Sequence, residues 1–141
     1  MTFTITLGDW QQQATGARAV RQQVFVIEQK IPLELEWDQM DAVSLHALAC
    51  DSAGQAIGTG RLLPDGHIGR MAVSKACRGQ GIGAALLQML MAEARQRGDQ
   101  NVLLHAQTSV VGFYQRFGFA GYGDEFIEAG IPHLLMRYDF A

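Results

Sequence analysis

The chain is poor in cysteine and in charge, and it has no long hydrophobic run. It contains two cysteines, Cys50 and Cys77, in 141 residues, and their separation matches no zinc-binding spacing. No apolar run approaches the roughly 18–20 residues that a membrane-spanning helix needs. The N-terminal segment MTFTITLGDW lacks the basic region of a signal peptide. We therefore expect a cytoplasmic protein with two reduced thiols, no bound metal and no contact with a membrane.

The chain also lacks the excess of basic residues that binds nucleic acid. Its 11 Lys and Arg residues and 14 Asp and Glu residues give a net charge of -3. Affinity for duplex DNA comes largely from cationic side chains that neutralise phosphates, so nucleic acid is not an expected partner. With 48% hydrophobic residues, a chain of this length is expected to form one globular domain over residues 1–141.

The hydrophobic pattern alternates between strand and helix periods and predicts an α/β fold. Helical spacing follows Asp9, which can cap the first helix, and it recurs after the glycines at 79–83. Turn residues separate the middle strands, which predicts an antiparallel meander. The predicted order is β-α-β-β-β-α-β-α-β, a mixed sheet covered by helices. The predicted strands are residues 2–7, 44–51, 56–63, 67–74, 101–107 and 131–140.

Three glycines, Gly79, Gly81 and Gly83, lie between the fourth predicted strand and the second predicted helix. A Walker A loop needs Lys-Ser or Lys-Thr after its last glycine, and neither pair occurs in the chain. A dinucleotide-binding loop, G-x-G-x-x-G, follows the first strand of its fold, and here Ala84 stands at the position of the third glycine. Neither of these nucleotide-binding loops is therefore predicted.

The same residues fit a third kind of loop, an R-x-x-G-x-G turn that opens a helix. Successive backbone N–H groups would point into one concavity at the positive end of the helix, which is a cradle for a pyrophosphate. The glycines place no Cβ in the way, and Arg78 adds a charged contact. The alternative interpretation is a tight strand-to-helix turn that binds nothing.

The segment RMAVSKACRGQGIGAALL resembles motif A of the GCN5-related N-acetyltransferases (GNAT), whose pattern is Q/R-x-x-G-x-G/A. Arg78, Gly81 and Gly83 occupy the motif positions. A second family feature is a tyrosine before an x-x-x-G-F turn, here Tyr114 in GFYQRFGF. Gln107 stands where the family usually has asparagine. The segments VFVIEQKIPLELEWDQMD and GIPHLLM resemble the small bacterial ElaA-like branch.

This resemblance implies a GNAT fold, with a central, mostly antiparallel sheet whose middle strands splay apart between flanking helices. It also implies transfer of the acetyl group of acetyl-CoA to a primary amine by direct attack on the thioester. The strand before the loop would hold the pantetheine arm, and the loop would hold the pyrophosphate. The implied cofactor-binding residues are Met71, Ala72, Val73, Arg78, Gly79, Gln80, Gly81, Ile82, Gly83, Ala84, Gln107 and Tyr114.

The resemblance places Tyr114 near the thioester sulfur, where its hydroxyl would protonate the departing thiolate. The alternative interpretation is a packed aromatic residue with a satisfied hydroxyl. Two candidates remain for the catalytic base. Glu28 follows an apolar run and either caps a helix end or faces the site, and His105 alternates along its strand with Gln107, so both would share one side. His67 lies in a predicted turn and is expected to be solvent-exposed.

Four acids, Glu34, Glu36, Asp38 and Asp41, crowd one predicted loop. They form either a solvated acidic loop or part of the acceptor side, where they would favour a cationic acceptor. The expected acceptor is a small-molecule or peptide amine, and exposed sheet edges make a homodimer conceivable. The competing function is a catalytically silent CoA-binding or regulatory module on the same fold, which would have little need of Tyr114 or a base.

Overall fold

The computed structural model describes residues 2–141, which form two antiparallel sheets and the helices that cover them. No helix within that range is both long and apolar enough to cross a membrane. The strands are β1 Phe3–Gly8, β2 Leu45–Asp51, β3 Ala56–Leu62, β4 Ile68–Val73, β5 Asn101–Gln107, β6 Ala120–Glu128 and β7 Ile131–Asp139. The α-helices are α1 Trp10–Arg21, α2 Leu33–Glu36, α3 Ile82–Gln96 and α4 Val111–Gln115. Short 3-10 turns cover Gln39–Val43, Lys75–Cys77 and Thr108–Val110.

The predicted order of elements is confirmed except for β6 and the four-residue helix α2, neither of which was predicted from the sequence. This strand reads AGYGDEFIE, with two glycines and three acids, all residue types that are depleted in strands. It lies at the edge of its sheet and is exposed along nearly its whole length, so no burial pattern marks it. Its pairing with β7 also shifts register between Tyr122 and Phe126.

The two sheets meet at a single parallel bridge between His67 and Leu103. One sheet has the order β1-β2-β3-β4 and the other β5-β7-β6. Next to the bridge, the Leu103 N–H donates to the Gly66 carbonyl at 3.1 Å. Beyond it, no ladder joins β4 to β5 within residues 2–141, so the two strands diverge. The predicted splay of the middle strands is confirmed, and the molecule has a V-shaped gap with its vertex at this bridge.

Helices α1 and α3 cover opposite faces of the first sheet, and α3 also contacts β5. The core side of α3 centres on Leu86 and Leu90, as the sequence predicts, and Leu87 is fully buried as well. The helical spacing of the sequence also predicts burial of Ala85 and Met89, which are only partly buried. The buried stripe is rotated toward Leu87 because the helix packs against strands of both sheets.

A capping box begins α1, which then continues into a π-helical segment, Gln22–Glu28. The Asp9 carboxylate accepts a hydrogen bond from the Gln12 N–H, and the Gln12 side-chain oxygen accepts one from the Asp9 N–H, both at 2.9 Å. The predicted cap is therefore confirmed. The π segment has one extra residue per turn, and such segments occur frequently at functional sites.

Arg21, in the last turn of α1, is buried between two carboxylates. Its Nε lies 2.7 Å from Glu36 Oε1, and its Nη1 lies 2.8 Å from Asp41 Oδ1. The side chain is 1% exposed, and the rings of Trp10 and Trp37 lie with their centroids 5.4 and 5.6 Å from its guanidinium carbon. One arginine thus joins α1 to α2 and to the turn before β2.

Two further arginines extend this cluster toward β4. Arg61 bonds Asp38 at 2.7 Å and Asp41 at 2.9 Å, and Arg70 bonds Asp38 at 3.1 Å. The hydrogen bond from Arg61 is the main reason that the pKa of Asp38 falls to about 2. The interpretation of a solvated acidic loop is therefore wrong for Glu36 and Asp41, which are buried, whereas Asp38 is exposed but paired with two arginines. These contacts are hidden in the sequence because the arginines come from α1, β3 and β4.

We expect Arg21→Met to lower the free energy of unfolding by about 3–5 kcal/mol, because two buried carboxylates lose their counter-charge. Urea denaturation measures this change. Arg116→Met, at an exposed site on the surface, is the control and should change the free energy by less than about 0.5 kcal/mol. A loss of under about 1 kcal/mol for Arg21→Met would contradict the view that the fold depends on this ion cluster.

Candidate active site

Strand β4 carries a bulge at the point where it leaves β5. Thr59 pairs with Ala72 but Arg61 pairs with Gly69, so β4 has one more residue than β3 between these pairs. Arg70 takes up the irregularity with a φ of 50°, a strained conformation for a residue with a side chain. A bulge leaves its extra residue out of the ladder. Backbone groups around Met71 are therefore available to a ligand in the gap.

The glycine loop after β4 leads directly into α3. Gly79 and Gly81 have φ values of 79° and 83°, and a Cβ built at either would meet no atom within 4 Å. Gly81 is the N-cap of α3 and offers no side-chain cap. The N–H groups of the first turn thus face open space at the positive end of a 15-residue helix. This arrangement fits a pyrophosphate, because backbone donors, the helix dipole and room for the anion coincide.

Gly83 differs from the other two glycines of the motif. A Cβ there would lie 3.7 Å from Phe113 and 3.8 Å from Val73, which are ordinary contact distances. Its φ is not positive, so the backbone itself does not require glycine. Among the predicted cofactor-binding residues, the loop conformation therefore depends on Gly79 and Gly81. Ile82 is buried in the core, and only its backbone N–H lies on the ligand side.

Two consecutive residues at the end of the π segment reach across the mouth of the gap. Glu28 binds Arg78 with both oxygens, at 2.6 and 2.8 Å, and Arg78 Nε donates to the Val73 carbonyl at the end of β4. Gln29 exchanges two amide hydrogen bonds with Gln107 at the end of β5, at 3.0 and 3.2 Å. We call Glu28 and Gln29 the strap. It contacts both sides of the V where they are widest apart.

This geometry changes the interpretation of Glu28. Its hydrogen bonds with Arg78 lower the pKa of the Glu28 carboxyl group below its ordinary value. A carboxylate held in this way is a weak base, and both of its oxygens already accept a charged donor. The sequence analysis assigned Glu28 and Arg78 separate roles, one in proton transfer and one in phosphate binding. In the structure the two side chains are partners.

Tyr114 lies in α4 and is 9% exposed. Its ring packs edge-on against Phe113 and Phe119, with centroids 5.1 and 5.9 Å away. Burial raises the pKa of the Tyr114 hydroxyl group to about 12. Within residues 2–141 that hydroxyl has no hydrogen-bond partner, and it is not among the fully enclosed unpaired atoms. The side chain is thus a protonated donor whose bonding capacity is free.

His105 lies on β5, on the same face as Gln107, as the sequence predicts. Its Nδ1 is 3.0 Å from Glu128 on β6. His67, expected to be solvent-exposed, is only partly exposed, and its ring centroid is 5.6 Å from that of His105. His46 is buried against Trp10, away from the gap, and burial lowers its pKa. Cys77 is buried.

Several residues at this site escaped the sequence analysis. Gln29 and Arg70 carry no motif, and their roles depend on contacts with residues 34–78 positions away. Glu128 lies in the strand that was not predicted at all. The sequence held one usable signal. The predicted last strand, β7, pairs with a strand on each side, and these partners, β5 and β6, carry His105 and Glu128.

A bulged strand that splays from its neighbour, followed by a glycine loop at the N-terminus of a helix, is the arrangement that the resemblance to the GNAT family implies. Residues 11–140 match the family model described as "Acetyltransferase (GNAT) domain". The chain therefore belongs to the GNAT acetyltransferase family, as its motifs predict.

Relatives along the full length support this assignment. Over 133 residues the chain is 36% identical to YjcF of Bacillus subtilis (strain 168), described as an N-acetyltransferase, and the match covers 92% of this chain and 94% of that one. Among solved structures, Escherichia coli ElaA superposes with a TM-score of 0.86 at 27% identity, covering 96% of this chain and 99% of ElaA. An acyl-CoA N-acyltransferase from Pseudomonas aeruginosa gives 0.85 at 32% identity, with the same coverage. The predicted similarity to ElaA is confirmed.

We expect Glu28→Gln to raise the affinity for CoA a few-fold, because Arg78 no longer has a competing carboxylate and can turn to the phosphates. Calorimetric titration with CoA at low salt measures this affinity. The free energy of unfolding should hardly change, since the pair is partly exposed. Glu125→Gln, which removes an exposed charge on β6, is the control for net charge. An unchanged affinity together with a large loss of turnover would instead restore Glu28 as the catalytic base.

Proposed function

We propose that the protein transfers the acetyl group of acetyl-CoA to a primary amine, by direct attack of the amine on the thioester. The observation that carries this proposal is the uncapped N-terminus of α3, which opens through Gly79 and Gly81 beside the bulged end of β4. A pyrophosphate at the helix and an acyl group in the gap would then lie along one line. The acceptor is a small-molecule or peptide amine.

Each part of the loop has a physical role in binding the donor. The N–H groups of Ile82, Gly83 and Ala84 lie in the first turn of α3, where the helix lacks internal partners for them. They and the backbone of Gly79, Gln80 and Gly81 would hold the pyrophosphate, with Arg78 as a cation at the edge. Backbone groups of Met71, Ala72 and Val73 would bind the pantetheine arm as a further strand would.

Bound acetyl-CoA supplies an activated acyl group, so the protein needs no covalent nucleophile. What the site must provide is orientation and a donor to the thioester oxygen. The bulge would supply such a donor, because its extra residue leaves the ladder and frees a backbone N–H of β4. Arg70 supports this strained backbone through Asp38 and the Glu36 carbonyl, at 3.1 and 3.3 Å.

Tyr114 is the group that we assign to the leaving thiolate. A phenol with a pKa of about 12 keeps its proton throughout the physiological range, so it meets the sulfur as a donor. Full proton transfer to a thiolate, whose ordinary pKa is about 8.5, is unfavourable by itself. The transfer becomes favourable when the phenol regains a proton from the amine nitrogen as the amide forms. The free hydroxyl argues against a silent CoA-binding module.

The function itself is tested by incubating the purified protein with acetyl-CoA and a panel of primary amines and amino-terminal peptides. The CoA thiol that is released is measured with a chromogenic thiol reagent, and the acetylated product is measured by mass spectrometry. Formation of an acetylated amine at a rate that scales with enzyme supports the proposal. Binding of acetyl-CoA with no product from any amine would favour the silent module.

We expect Gly81→Ala to weaken acetyl-CoA binding at least tenfold, because a methyl group would enter the phosphate cradle. Gly98→Ala is a matched control, since Gly98 lies at the other end of α3 with a φ of 97° and equally open surroundings. Both variants bear a similar backbone strain, so their effects on the free energy of unfolding cancel in the comparison. The shift of the unfolding temperature with acetyl-CoA measures binding, with NAD and ATP as other ligands. Equal shifts for the two variants would remove the loop from the cofactor site.

We expect Tyr114→Phe to lower kcat about 100-fold or more while the KM for acetyl-CoA stays within about twofold, because only the proton donor is lost. Tyr138→Phe, on another partly buried aromatic residue of the core, controls for loss of a hydroxyl group. Because the pKa of Tyr114 is about 12, the parent enzyme should show no loss of rate from this group below about pH 11. Equal turnover of Tyr114→Phe and the parent would contradict the acid role.

A further inference from the structure

Two histidine–carboxylate pairs lie side by side near the vertex of the V. His105 Nδ1 is 3.0 Å from Glu128 Oε1, and His67 Nδ1 is 3.0 Å from Asp65 Oδ1. The two imidazole rings are perpendicular, with centroids 5.6 Å apart. Phe126 covers the other side of His105 at 5.2 Å. Each ring is thus fixed by one carboxylate and by ring contacts.

The carboxylates determine which nitrogen carries the proton in the neutral rings. An ionised carboxylate only accepts hydrogen bonds, so Nδ1 of each histidine must be the donor. Nε2 of His105 and of His67 is then an unprotonated acceptor, and no residue in 2–141 binds it. A carboxylate that holds Nδ1–H while Nε2 stays free is the arrangement of a histidine base.

The register of the strands places His105 beside the gap. The bridge joins His67 to Leu103, so His105 is two residues beyond the vertex on β5, as Gly69 is on β4. A Cβ at Gly69 would meet nothing within 4 Å, which leaves open space over this end of β4. Met71 follows on β4, beyond the bulge at Arg70. An amine held between His105 and this part of β4 would lie near both, within reach of Nε2 directly or through one water.

The other bases around the gap are already engaged. The strap closes the mouth, where Glu28 is held by Arg78 and Gln29 by Gln107. Glu36, Asp38 and Asp41 are bound to arginines. His133 donates from Nδ1 to the Ile131 carbonyl at 2.7 Å, and it is buried opposite Gln107, at the end of β5 away from the vertex. The free lone pairs nearest the vertex are therefore those of His105 and His67.

We propose that the acceptor amine approaches the gap over the face of the sheet that carries His105, and that His105 Nε2 is the base that takes its proton. This inference rests on the proposed acetyl transfer. Glu128 is a positioning residue that fixes the ring and stabilises the imidazolium, and His67 with Asp65 passes the proton to solvent. Among the four histidines and the acids of the site, we assign a catalytic role to His105 alone.

The protons balance in two steps. The ammonium group gives one proton to His105 Nε2, and the neutral nitrogen then attacks the thioester carbon, so that a C–N bond forms. As the C–S bond breaks, Tyr114 gives its proton to the sulfur, and the nitrogen returns its second proton to Tyr114. The products are the amide, CoA thiol and one proton on His105, which leaves through His67 to water.

Charged neighbours of His105 come from every element around it. Glu128 lies on β6, His133 on β7, and His67 with Asp65 in the turn before β4. Arg70 of β4 is turned toward Asp38 and Glu36. Arg137 of β7, opposite Leu103, is turned toward Asp139 at 2.6 Å. The nearest charge to the imidazole is therefore the Glu128 carboxylate.

The test compares His105→Gln and Glu128→Gln with the parent enzyme, using any amine that the parent acetylates. We expect His105→Gln to lower kcat/KM for the amine about 100-fold at neutral pH, with recovery as rising pH deprotonates the free amine, and to keep acetyl-CoA binding. Glu128→Gln should move the acidic limb of the pH profile to lower pH, because the imidazolium loses its carboxylate. A structural role alone would not move that limb. Parent-like pH profiles in both variants would overturn the proposal.

A second measurement needs no acceptor and separates this inference from the proposed function. The ¹⁵N chemical shifts of the imidazoles, assigned with His105→Gln and His67→Gln, report the tautomer of each ring. The proposal requires the Nδ1–H form of His105 in the parent and a weaker preference for that tautomer in Glu128→Gln. An Nε2–H form in the parent, or a tautomer that does not respond to Glu128→Gln, would overturn it. Absence of acetyl transfer to every amine, with these imidazole signatures present, would instead count against the proposed function.

Discussion

The structure depends first on the burial of Arg21 between Glu36 and Asp41. This side chain ends the regular part of α1 and holds the segment that follows against the sheet, so it decides where the π segment points. An unpaired guanidinium or carboxylate in that place would be strongly unfavourable, which makes the three-way contact nearly obligatory. The route of the chain from α1 to β2 is therefore specified by ionic contacts and aromatic rings as much as by apolar burial.

From that anchor, two local distortions create the site. The bulge in β4 frees backbone groups on one side of the gap, and Arg70 absorbs its strain through the same acidic cluster that holds Arg21. Positive φ values in the glycine loop then aim α3 so that its positive end meets the gap. The binding of a charged, extended donor follows from these backbone features. Side chains then add selectivity and proton transfer.

Sequence reasoning reached the parts of this molecule that local rules govern. The cap at Asp9, the strand meander and the helix after the glycine loop each follow from periodicity and turn chemistry in one short segment. Beyond local rules, the resemblance to the family predicted that the middle strands splay apart and where Arg78 and Tyr114 lie. What remained hidden depends on contacts between distant segments. The pairing of Glu28 with Arg78, the neutralised acids and the place of Glu128 are examples.

The missed β6 shows why such gaps occur. Its glycines and acids suit an exposed edge and give no hydrophobic signal, yet one of its side chains, Glu128, reaches an imidazole two strands away. A strand can thus be nearly invisible in a sequence and still place a functional group. Sites built by such edges are found only when register and topology are known.

Backbone hydrogen bonding joins the two sheets at one end only, and the strap joins them at the other. The backbone bridge lies at His67 and Leu103, and the side-chain hydrogen bonds at the other end join Gln29 to Gln107. Within residues 2–141 this end is joined by two amide side chains and not by the sheet. A single substitution at either glutamine can therefore change how firmly the two sheets are joined there, while the strand pairing stays the same.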